Sequence, residues 1–166
     1  MDEKSTLLTY GYSLHNCLLR PKSRGRVSLH GSDYQQDPKI ELNMLSHPDD
    51  LATMVEAVKI NLNIFSQQAF DDFRGKPIFP NQVKPNDKEI EDFVRNNANH
   101  VYHPVGTCKM GHDQEAVVND RLQVHGIAGL RVVDASIMPT LVAGNTNAPT
   151  IMIAAKAADM ILADNR

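Results

Sequence analysis

The 166 residues contain no tryptophan and only two cysteines, Cys17 and Cys108, far apart in sequence. A single bridge between them stays open, but a disulfide framework is excluded, and reduced thiols in a cytoplasmic protein are the expectation. No apolar run approaches the roughly 20 residues of a membrane-spanning helix, and the opening Met1-Asp2-Glu3-Lys4 is too polar for a signal peptide. Charge of one sign is also missing. Seventeen basic against twenty acidic residues give a net charge of −3, with no basic patch to neutralise phosphates, so no nucleic-acid partner is expected. Nor is there a GxGxxG turn. The spacings between Gly106 and Gly111 and between Gly126 and Gly129 lack the strand–turn–helix context that a dinucleotide cradle requires. Internal repeats and low-complexity tracts are absent as well.

What is present describes one ordinary globular domain, 42% hydrophobic and 22% charged, long enough to bury a core. Residues 6–19 (TLLTYGYSLHNCLL) predict a long strand. Residues 26–30 (RVSLH) predict a second strand, pairing with the first through the turn at 20–25, and residues 39–42 a short third. His47-Pro48-Asp49-Asp50 opens a helix that Ser46 or an early aspartate can cap. Leu51, Met54, Val55, Val58, Leu62 and Phe65 form its buried stripe as far as about Gln68. Asn86 caps a second helix over 87–97. Residues 101–107 and 130–133 predict extended chain, and Pro149 in the first turn predicts a helix over 148–163. The class is therefore α+β, with a mixed, largely antiparallel sheet and helices packed on one face. The most distinctive segments crowd into the last third, as expected of a piece of something larger.

Three strings, YHPVGTCKMG (102–111), GLRVVDASIMP (129–139) and GNTNAPT (144–150), together resemble the glucose–methanol–choline (GMC) oxidoreductase family, in its choline and alcohol dehydrogenase branch. LRPKSRG (19–25) also fits that family's turn, and the likeness runs in order over nearly the whole chain. The resemblance implies that residues 1–166 are the C-terminal, substrate-binding and catalytic region of an FAD enzyme. That enzyme's dinucleotide-binding domain would lie upstream, so the chain alone is not expected to hold FAD. The partners implied are a small alcohol substrate and that upstream domain, with the final helix pointing at the flavin. Membrane association at an inner face is left open.

Oxidising an alcohol requires a proton acceptor that works near neutral pH, for which histidine is suited. The resemblance places that role on His103, where extended chain meets Pro104 and a glycine turn. Taken alone, such a histidine is more often a core residue bonded to backbone. The resemblance places Asn145 beside it to donate to the alcohol oxygen as it gains negative charge, although Gly144-Asn145 is also good turn chemistry. Asn147 competes for that role, or contacts flavin, or caps the helix. Asp134 and Ala135 would meet the ribityl or phosphate portion, and otherwise Asp134 simply caps a turn. Asn147, Ala148 and Thr150 stand at a helix N-terminus, whose partial positive charge would favour the anionic reduced ring.

The remaining candidates read as structural. His15 is expected in a strand or pocket wall, His30, His47, His100 and His112 in loops or caps, and His125 in a turn. No histidine pair has metal-ligand spacing with a third ligand near. Cys108 lacks a base to make it a nucleophile, and Met110, Met138, Met152 and Met160 read as packing. The alternative to an enzyme is a non-catalytic binding module that keeps the scaffold, although such a module has no physical need of both His103 and Asn145.

Overall fold

The computed structural model describes residues 11–81 and 84–165. It is α+β, built from two compact units that are each discontinuous in sequence: residues 1–18 with 47–98, and residues 19–46 with 99–166.

The first unit is a pair of helices. Helix α1, Pro48–Phe65, begins with a proline in its first turn and two acidic residues, Asp49 and Asp50, which suit the positive end of the helix dipole. Its cap is His47, neither Ser46 nor an aspartate: the ring Nδ1 accepts the Asp49 N–H at 3.2 Å. An imidazole lone pair does what a carboxylate oxygen would, two residues from the donor. The helix stops at Phe65, short of Gln68, and a 3₁₀ turn, Gln68–Phe73, follows. There Phe65 and Phe70 stack edge-to-face at 5.7 Å, with Tyr12 against both. Helix α2, Asp87–Asn97, matches the predicted bounds. Asn86 Oδ1 accepts the Glu89 N–H at 3.0 Å while Glu89 Oε2 accepts the Asn86 N–H at 2.7 Å, a reciprocal capping box. The two helices bury Leu51 and Val58 of α1, and Ile90 and Val94 of α2. These are the positions their apolar stripes select.

The second unit holds the strands. Strand β1, Arg26–Ser28, pairs antiparallel with β2, Lys39–Glu41, with Val27 opposite Ile40. The expected partner for residues 26–30 was the segment 6–19. Residues 11–19 carry no strand, and residues 6–10 of that expectation lie outside the described residues. Alternation says which residues suit a strand; which neighbour completes the ladder is set elsewhere. Gly25 makes the β1–β2 pairing feasible. A Cβ there would stand 2.3 Å from the Glu41 carbonyl oxygen, so no other residue fits.

The strand expected at 130–133 does not form either, and the extended chain expected at 101–107 joins no ladder. Met110, Val118, Val124, Gln123 and Arg131 make only isolated bridges. Positive φ angles at Leu122 (62°), Gly126 (76°) and Gly129 (76°) turn the chain before any ladder can extend. Around this winding chain Val118, Leu122, Ile137, Met138, Ile153 and Ala157 form the core. The last two belong to helix α3, Asn147–Asp164. Only this narrow i, i+4 stripe of α3 is buried, while Ile151, Met152 and Leu162 are exposed.

Candidate functional site

His103 lies at the start of a segment stitched to the rest of its unit by backbone bonds. Cys108 N–H donates to the Ser136 carbonyl at 3.0 Å, and Met110 N–H to the Ile137 carbonyl at 2.8 Å. Between His103 and these bonds, Gly106 takes φ 91°, and a Cβ on it would meet the Met138 carbonyl at 3.2 Å. Both facts call for glycine, and the close approach is what sets the loop down on the 135–138 turn. Just before His103, Tyr102 holds φ 62°, an unusual backbone for a bulky side chain, with its N–H bonded to His100 Nδ1 at 3.2 Å.

The half-buried His103 ring reaches across 43 residues to Thr146, Nδ1 to Oγ1 at 2.7 Å. Thr146 is one of only two buried polar or charged residues among those described, and it occupies the position that starts α3. Its carbonyl accepts both the Thr150 N–H at 3.1 Å and the Thr150 hydroxyl at 2.7 Å. One residue earlier, Asn145 Oδ1 accepts the Asn147 N–H at 2.9 Å. That bond occupies the amide oxygen and leaves the exposed Asn145 NH₂ to donate. Pro149 has no N–H, the Asn147 N–H is taken, and the exposed Ala148 N–H has no partner among the described residues.

Asp134 caps the 3₁₀ turn Ala135–Ile137, its Oδ1 accepting the Ser136 N–H at 2.7 Å. Asp134 itself is exposed, while Ala135 is half-buried. The structure thus brings His103 against the residue that follows Asn145, and ties the same loop to the turn that Asp134 opens. Thr146 was missing from the sequence reading. Its hydroxyl is one polar group among several near a helix start, and no local pattern points to a partner 43 positions away. Other histidines serve loops and caps: His30 Nδ1 bonds the Asp37 carbonyl at 3.0 Å, and His125 Nε2 the Gly111 carbonyl at 3.1 Å. No cluster of three metal-ligating side chains exists among the described residues. No helix among them is long and apolar enough to cross a membrane.

Residues 21–154 match the family model described as GMC oxidoreductase. The chain belongs to the GMC oxidoreductase family. Among its relatives, alcohol dehydrogenase [acceptor] of Pseudomonas putida is 50% identical over 153 residues, 92% of this chain and 28% of that protein. Oxygen-dependent choline dehydrogenase of Cronobacter sakazakii is 47% identical over 152 residues, 92% of this chain and 27% of that protein. Among solved structures, formate oxidase from Aspergillus oryzae, studied for modification of its FAD, superposes with a TM-score of 0.76 at 30% identity. That match covers 89% of this chain and 26% of the formate oxidase chain. This GMC oxidoreductase chain therefore spans little more than a quarter of the length of the relatives it matches.

Proposed function

We propose that the chain is the C-terminal, substrate-facing region of an FAD-dependent dehydrogenase that oxidises the hydroxyl of choline or of another primary alcohol. The observation that carries this reading is the 2.7 Å bond joining His103 to Thr146, beside Asn145. It ties the imidazole to the residue that follows Asn145 in the chain, across 43 positions, which supports the reading that the two side chains serve one site. The residues present fit a flavin by their donor chemistry. Ala148, an exposed residue at the positive end of an 18-residue helix, has an N–H with no partner among the described residues. Exposed Asp134 uses only Oδ1 in its cap, which leaves Oδ2 for a ribityl hydroxyl. Asn147 and Ala135 would complete the contacts, whereas the Thr150 hydroxyl already donates to Thr146 and can only accept. When bound, the flavin supplies the acceptor at N5 for the hydride that leaves the alcohol carbon.

The chain's own groups do the rest. His103 Nε2 accepts the hydroxyl proton. Asn145 NH₂ donates to the oxygen as charge gathers there, and being neutral it does not compete for the proton. FAD binding itself falls to a dinucleotide domain outside these residues, because none of the glycines here has the strand–turn–helix setting such a cradle needs. The exposed Ile151, Met152 and Leu162 on α3 are what a contact face for that domain would leave bare. The test is anaerobic flavin bleaching by choline and by aliphatic alcohols in the FAD-loaded full-length protein. His103→Ala is expected to slow reduction roughly 100- to 10,000-fold while FAD stays bound. A variant that bleaches at near wild-type rate removes His103 from the mechanism.

A further inference from the structure

We infer that Thr146 is a positioning residue that sets the tautomer of His103, an inference that rests on His103 being the base. A bond between an imidazole Nδ1 and a hydroxyl at 2.7 Å can run either way. If the threonine hydroxyl donates, Nδ1 is the accepting nitrogen and Nε2 carries the proton. A ring in that state has nothing with which to take a proton from an alcohol. If Nδ1–H donates to Oγ1, the Nε2 lone pair is free. The second arrangement is the one a base at Nε2 needs.

It also survives the reaction. After Nε2 gains the alcohol's proton both ring nitrogens carry hydrogen, and Nδ1–H still points at the same oxygen. Nothing has to turn as the imidazolium forms. Thr146 suits the task because it cannot wander. It is 8% exposed, it starts helix α3, and Thr150 holds its carbonyl through two bonds. The ring it steers is in turn carried on the loop pinned at Cys108 and Met110.

Two measurements test this. In long-range proton–nitrogen spectra of the histidine-labelled chain, the His103 signals are those lost in His103→Ala. The wild type and Thr146→Ser are expected to show the Nδ1–H form. Thr146→Val, which keeps the branched shape without the oxygen, shifts the ring toward the Nε2–H form. In the FAD-loaded full-length protein, Thr146→Val is expected to lower kcat for flavin reduction roughly tenfold, the worth of one neutral hydrogen bond. KM stays unchanged, and Thr146→Ser recovers the rate. An Nε2–H ring in the wild type overturns the inference, as does a Thr146→Val protein with unaltered tautomer and kcat. If His103→Ala still reduces flavin at near wild-type rate, the base assignment falls and this role of Thr146 falls with it. If His103→Ala is inactive while Thr146→Val is unaffected, only the role of Thr146 falls.

Discussion

Gly106 carries the loop of His103 onto the 135–138 turn, and it does so with a backbone angle of 91° and a carbonyl where a side chain would begin. Alanine there would have to bear the left-handed penalty of about 1–2 kcal/mol and push the Met138 carbonyl back by a few tenths of an ångström. Gly106→Ala is therefore expected to lose about 2 kcal/mol of stability, measured by denaturant titration. An unchanged midpoint would mean the loop has room that the structure does not show. At this scale the candidate site was half legible. His103 and Asn145 lie in strings whose chemistry can be read in order along the chain. Thr146 could not be found that way, because its significance is a contact with a residue 43 positions earlier.

The helices were legible because what starts and ends them is local. Asn86 and Glu89 sit three residues apart and satisfy each other's backbone, so the start of α2 is written within a single turn. Asn86→Ala is expected to cost about 1 kcal/mol, seen as a lower thermal midpoint. Asn86→Asp, which keeps an accepting oxygen, should lose little. A matching loss in both variants would mean the cap contributes nothing. His47 shows the limit of such reasoning. Any side chain with a lone pair two residues before the donor can cap, and composition alone favoured serine or aspartate. The strands fared worse. Residues 130–133 lean apolar and end in two β-branched valines, as a strand should, yet Arg131 finds a single bridging partner, Gln123. The chain around it bends at Leu122, Gly126 and Gly129.

Across the second unit, the far end of α3 is held by charge. Asp164 is the last residue of the helix, where an acidic group meets the negative end of the dipole. Arg131 and Arg121, arriving from the winding loops, both bond its carboxylate. The hydrogen bond from Arg131, with Arg121 beside it, holds the Asp164 carboxyl below the ordinary carboxylate range. A depressed carboxyl stabilises the fold at neutral pH and loses that contribution as pH falls below the unfolded aspartate value. Asp164→Asn is thus expected to melt earlier than the wild type at neutral pH, with the gap narrowing as pH falls below the ordinary aspartate value of about 3.9. Parallel melting curves across that range would show that the two arginines do not act through charge. Sequence alone determined the class, the three helices and the family resemblance, since periodicity, caps and short motifs are all properties of neighbours. Tertiary structure alone decided which strands pair, which hydroxyl faces His103 and which arginines close the end of α3. Those contacts join residues well beyond one turn of chain, up to 43 positions apart, and the entropy of closing a loop changes too slowly with its length to favour one distant partner over another until the core has formed.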